Sequence, residues 1–180
     1  MADPRDFIRS ETLKSGLAVT IRHLRADDRD RLAAAIRQLD RESVYTRLFS
    51  YRSELTETGL DRIMKVDPAN EVALVVTTGA GNDEIVIGSG RYFASGPEGR
   101  RTAEVAFVVE EDYQGQGIAG RLLGHLAEIA RDQGIVALEA DVLSENRSMT
   151  RVFARAGLPM KLRNEGSTVH VTLALGGVPG

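Results

Sequence analysis

The chain has no cysteine among its 180 residues. Disulfides, thiolate metal sites and a cysteine nucleophile are excluded together, so a covalent acyl-enzyme would have to use another residue. The absence also suits a reducing compartment. A basic excess is missing too: 23 Lys+Arg stand against 26 Asp+Glu, a formal net charge of −3. Nothing then drives general binding to a phosphate backbone, and nucleic acid is not an expected partner. No run is long and apolar enough to span a bilayer. The opening "MADPRDFIRSETLKSG" is charged where a signal peptide would be apolar. No membrane association is expected, and the expected location is the cytoplasm. His23, His125 and His170 fall at no ligand spacing, so no metal is expected. A G-x-S-x-G nucleophile elbow is also absent.

What is present fits one soluble domain: hydrophobic residues make up 42% and charged residues 27%, with length enough to bury a core. Residues 1–16 read as a flexible lead-in and 17–180 as the domain. "LAVTIRHL" (Leu17 to Leu24) alternates and is β-branched, which predicts a first strand. A helix follows, capped by Asp27 or Asp28, with Leu32, Ile36 and Leu39 at helical spacing. "RESVYTRLFS" continues helically, and "LTETGLDRIMKVD" predicts a short helix capped by Thr56 that buries Leu60, Ile63 and Met64. Strands are expected over Glu71 to Thr78, Asp83 to Ser95 and Thr102 to Glu110, with "GAGN" and "GPEG" as turns. Beyond them come a helix, the strand "IVALEADVL", the helix of "ENRSMTRVFARAGL", and two final strands in "LPMKLRN" and "STVHVTLAL". The pattern is a single mixed α/β domain without repeats or linkers.

The segment "VAFVVEEDYQGQGIAGRLLGHLAEIARDQG" joins an apolar strand to a helix through a glycine-rich turn. Gly115, Gly117 and Gly120 match the dinucleotide fingerprint G-x-G-x-x-G literally. There the first glycine follows almost directly on the strand, whereas "EEDYQ" intervenes here, and too little chain remains for a second nucleotide half. Gly115 and Gly120 also fit the glycines of a P-loop, but Arg121-Leu122 supply neither its lysine nor its hydroxyl. A third pattern, Gln/Arg-x-x-Gly-x-Gly/Ala, is satisfied by Gln114-Gly115-Gln116-Gly117-Ile118-Ala119. A plain glycine-rich turn is the bland alternative.

With that turn, and with "NRSMTRVFARAGL" one helix and one strand later, the chain resembles the GNAT superfamily of N-acetyltransferases from about Leu17 to Leu175. The resemblance implies a GNAT-type α/β domain whose mixed, mostly antiparallel central sheet carries helices on both faces. It implies acetyl-CoA as acyl donor, its diphosphate held by main-chain N–H groups of Gln114, Gly115, Gln116, Gly117, Ile118, Ala119, Gly120 and Arg121. The physics agrees, since the first N–H groups of a helix lack intrahelical partners and the dipole favours an anion there. The strand backbone at Phe107, Val108 and Val109 is implied to run beside the pantetheine arm. Asn146 either contacts that arm, as in the family, or simply caps its helix.

Transfer to an amine needs two reactants held together and a proton removed. Without cysteine, direct attack in a ternary complex is the simpler scheme. Glu104 interrupts an apolar run, "AEVAFVV", on a strand expected to border the acceptor groove. Half-buried there, its carboxyl would shift toward neutrality and suit a general base. The competing reading is a solvent-exposed carboxylate, or one paired with Arg91 or Arg101. Glu139 and Asp141 are expected to line the acceptor side, and His170 to be a satisfied sheet histidine. The tyrosine that many GNAT members use to protonate the leaving thiolate is replaced by Phe153.

The N-terminal third, with Ser43, Tyr45, Arg47 and Phe49, resembles the Pat-like bacterial protein lysine acetyltransferases. That makes a protein lysine the leading acceptor and a small-molecule amine the alternative. A domain that binds acyl-CoA as a sensor and transfers nothing is the reading from a different class. A monomer or homodimer is expected.

Overall fold

A computed structural model describes residues 3–37, 57–110 and 113–176. An eight-stranded sheet runs in the order β1-β2-β3-β4-β5-β6-β8-β7. Its strands are β1 (Ile8–Thr12), β2 (Ala18–His23), β3 (Glu71–Thr78), β4 (Ile85–Ser95), β5 (Arg101–Val109), β6 (Ile135–Leu143), β7 (Met160–Glu165) and β8 (Thr168–Ala174). Every neighbouring pair is antiparallel except β5 and β6. The crossover between those two strands is an α-helix, as a parallel connection requires.

The helices are α1 (Arg29–Arg37), α2 (Glu57–Met64), α3 (Ile118–Asp132) and α4 (Arg147–Ala154). They cover both faces, as expected of this α/β class. On one face α3 buries Ile118, Leu122, Leu123, Leu126, Ala127, Ile129 and Ala130, the stripe that its 3.6-residue period creates. That stripe packs with Val105, Phe107 and Val109 of β5 and with Phe153 of α4 in the main core. A Leu or Ile so buried contributes roughly 1.5–3 kcal/mol. On the other face, Leu32 of α1 and Leu60 of α2 close a smaller cluster over Val75 and Val86.

Two expectations change. Residues 8–12, read as part of a flexible lead-in, form an edge strand whose register against β2 runs from Ile8 opposite Arg22 to Thr12 opposite Ala18. The strand is mostly exposed, so its sequence carries no apolar alternation to announce it. Asp28, read as one of two alternative helix caps, is the centre of a buried ion-pair cluster. It is fully buried, and its carboxylate accepts from Arg22 at 2.7 and 2.8 Å, from the Arg25 N–H and from Arg31. Burial opposes its charge, but these hydrogen bonds outweigh burial and hold the carboxyl below the usual carboxylate range. The expected helix through "RESVYTRLFS", the Thr56 cap, the Ser43-to-Phe49 signature, and Glu111 and Asp112 lie outside the described residues.

Candidate active site

The glycine turn folds as its residues require. Gly115 and Gly117 have φ of 80° and 86°, a left-handed backbone that side chains disfavour. Gly117 occupies the cap position of α3 and makes no side-chain capping bond. The first bond at this end runs from the Arg121 N–H to the Gly117 carbonyl at 3.1 Å. The N–H groups of Ile118, Ala119 and Gly120 therefore have no partner within the helix, and the positive end of its dipole adds to their pull on an anion. These residues line a groove of about 330 Å³ together with Phe107, Val109, Tyr113 and Asn146.

A split in the sheet continues that groove. β5 and β6 pair from Arg101 opposite Ile135 only as far as Glu104 opposite Glu139. Both strands run on, β5 to Val109 and β6 to Leu143. Over that stretch β5 remains paired with β4, from Val105 opposite Tyr92 to Val109 opposite Gly88, and β6 with β8. Among the described residues, no strand pairs with the inner edge of β5 beyond Glu104. An open main-chain edge of this kind accepts an extended ligand as an added strand.

The second helix bordering the groove begins differently. Asn146 is buried, and its Oδ1 accepts from the Met149 N–H at 3.2 Å, which caps α4. It also lines the groove, so the two roles weighed for it share one side chain. Phe153 on α4 is buried, with its ring centroid 6.2 Å from that of Phe107.

Of the residues the sequence proposed for the donor, Phe107, Val109, Gln114, Gly115, Gly117, Ile118, Ala119, Gly120 and Asn146 line the groove. Val108, Gln116 and Arg121 do not. Val108 alternates to the opposite face of β5, away from buried Phe107 and Val109. The Gln116 side chain accepts a hydrogen bond from the Ser15 hydroxyl. Arg121 is drawn to β1, donating to Glu11 at 2.7 Å and to the Thr12 carbonyl at 3.0 Å. His125, one turn along α3, meets the other oxygen of Glu11 at 2.6 Å. Sequence reasoning missed Lys14, Tyr113, Ser148, Met149, Arg151, Val152 and Arg155 on the groove wall.

Across the mouth of the split, β5, β6 and β8 bring Glu104, Glu139, Asp141 and His170 onto one face, with Glu104 opposite Glu139 and Asp141 opposite His170. Glu104 is exposed rather than half-buried. Its carboxyl is nevertheless raised above the ordinary value, by loss of surrounding water first and then by repulsion from Asp141 and Glu139, with His170 opposing. Neither Arg91 nor Arg101 pairs with it: they donate to the Ile63 carbonyl and to Asn70. His170 is satisfied at both nitrogens, Nδ1 to Asp141 at 2.8 Å and Nε2 to Glu139 at 3.1 Å. The hydrogen bonds to Asp141 and Glu139 raise its pKa. Asp141, Glu165 and His170 place one ligand-type atom each within 4.8 Å of one another, but those contacts already occupy the imidazole.

No helix among the described residues is long and apolar enough to cross a membrane. The sequence profile of the Acetyltransferase (GNAT) family matches residues 34–158. An acetyltransferase of Pseudomonas aeruginosa is 33% identical over 142 residues, 77% of this chain and 74% of that protein. The acetyltransferase Pat of Mycolicibacterium smegmatis is 36% identical over 116 residues, 64% of this chain and 34% of that longer protein. Among solved structures, the GNAT domain of S. lividans PAT superposes with a TM-score of 0.80 at 32% identity, covering 93% of this chain and 96% of that one. The glycine turn, the split beside it and these likenesses agree: the chain belongs to the GNAT family of acetyltransferases.

Proposed function

We propose that the protein transfers the acetyl group of acetyl-CoA to a primary amine, a protein lysine in the first instance, by direct attack within a ternary complex. The observation that carries this reading is the ending of β5–β6 pairing at Glu104 and Glu139, beside a helix whose first N–H groups have no partners in the helix. The site fits a CoA thioester in chemistry and shape. The N–H groups of Ile118, Ala119 and Gly120 take the diphosphate, with Gly115 and Gly117 allowing close approach. The open main-chain edge of β5 around Phe107 to Val109 takes the pantetheine as an extra strand and leaves the thioester at the split.

Glu104 stands at that point and removes the proton from the attacking amine, directly or through water. Its raised pKa suits this role, because the base and the ammonium then exchange a proton nearer neutrality. Glu139 and Asp141 add negative charge that favours a cationic acceptor. Phe153 is buried against Phe107 and offers no proton, so the thiolate leaves unaided or through water. The likeness to proteins named Pat supports a lysine over a small amine.

Glu104→Gln tests the assignment. Turnover should fall by roughly 10²–10⁴-fold, the scale of lost general-base catalysis, while the Kd for acetyl-CoA stays unchanged. Unaltered turnover removes Glu104 from the chemistry. A wild-type protein that binds acetyl-CoA but labels neither proteins nor amines of a lysate is a sensor instead.

A further inference from the structure

The arginine that follows the glycine turn in sequence is engaged elsewhere. Arg121 sits in the first turn of α3, yet its guanidinium is spent on Glu11 and the Thr12 carbonyl. His125 holds the second oxygen of the same carboxylate, and Ser15 bonds to Gln116. Together these contacts fasten the end of β1 and its turn onto the start of α3, while Leu13, buried beneath, bonds through its N–H to the Leu17 carbonyl at 2.9 Å. The turn so fastened carries Lys14 to the groove wall. Its Cε lies 3.7 Å from where a Cβ on Gly117 would stand, directly beside the cap of α3. Lys14 makes no ion pair among the described residues, in contrast to Arg121. Arg151 of α4 and Arg155 just beyond its end also line the groove.

We infer that Lys14, held over the glycine turn by the Glu11–Arg121–His125 cluster, is the cation that meets the diphosphate of the CoA substrate. The inference rests on the acetyl-CoA reading above and assigns a ligand that the glycine motif itself does not contain. A lysine suits the task because its ammonium can be met by either phosphate without a fixed fork geometry. The contact is exposed, so it weakens as salt screens it.

Binding of CoA, 3′-dephospho-CoA and pantetheine to the full chain and to its Lys14→Gln and Lys14→Arg variants tests this by calorimetry. Lys14→Gln should weaken CoA and 3′-dephospho-CoA alike by about tenfold, the loss expected for one charged hydrogen bond. It should leave pantetheine unchanged, and Lys14→Arg should restore most of the affinity. The wild-type advantage over Lys14→Gln should shrink as salt is raised. Equal affinity of wild type and Lys14→Gln for CoA overturns the inference. So does a penalty that disappears with 3′-dephospho-CoA, which would move Lys14 to the 3′-phosphate. A wild-type chain that binds none of the three defeats the acetyl-CoA reading itself, and is thereby distinguished from a failure of Lys14 alone.

Discussion

Two helices begin at the same groove and solve the same problem in opposite ways. At the start of α4, the side-chain Oδ1 of Asn146 accepts from the Met149 N–H. At the start of α3 the cap residue is Gly117, which has no side chain to turn inward, and the first N–H groups are left for something else. A side-chain cap typically stabilises a helix by about 1 kcal/mol. α3 forgoes that and is held by the seven residues it buries in the core. The contrast separates a terminus closed by its own side chain from one left open on the groove.

Gly120→Asp should break the contrast most severely. A Cβ there meets nothing within 4 Å, so the substitution fits without strain. A carboxylate in the first turn favours the helix dipole, and aspartate is a better helix former than glycine, so the unfolding midpoint should hold or rise. The same carboxylate repels the diphosphate, and affinity for acetyl-CoA should fall by roughly 100-fold. A rise in stability with a collapse in binding is the signature of a terminus kept open for an anion. Titration calorimetry and thermal unfolding on one preparation read both.

The opposite experiment removes the cap from α4. Asn146→Ala should cost about 1 kcal/mol of stability, seen in chemical denaturation. Asn146→Asp keeps an oxygen to cap α4, yet sets a carboxylate at a buried position on the groove wall, and it should weaken acetyl-CoA several-fold. Smaller still is the effect expected on the acceptor face, where His170 is satisfied and Glu104, among the described residues, is not. Asp141→Asn removes one of the repulsions that raise the Glu104 carboxyl. A base acts when deprotonated, so the acidic limb of the kcat/KM profile should move to lower pH. A limb that stays in place, or moves up, dissociates Glu104 from that limb.

Much of this was legible in the residues. The alternation of β2, the apolar run of β5, the 3.6-residue stripe of α3 and the order of the two motifs are local signals, and each stands near its expected place. Asn146 as a helix cap is local as well. What escaped depends on distant pairings. β1 is an exposed edge strand, so its only evidence is its register against β2. Arg121 was read only through its main chain, and the bond of its guanidinium to Glu11, 110 residues earlier, has no local signal. Lys14 had no reason to be noticed in a segment read as loose, because nothing near it in sequence places it beside Gly117. Glu104 was expected half-buried and is exposed; loss of surrounding water still leads in raising its carboxyl, and repulsion from Asp141 and Glu139 on a neighbouring strand, which no local signal shows, adds to it.

Acetyl-CoA binding as proposed requires main-chain N–H groups at the start of α3 to receive a diphosphate. Titration of 15N-labelled protein with 3′-dephospho-CoA, followed amide by amide, tests that directly. The amides of Gly117, Ile118, Ala119 and Gly120 should move most and saturate together with the binding isotherm, while that of Met149, already bonded to Asn146, moves least. If the Met149 amide and its neighbours on α4 shift while those four stay in place, the diphosphate lies elsewhere and the central claim is wrong.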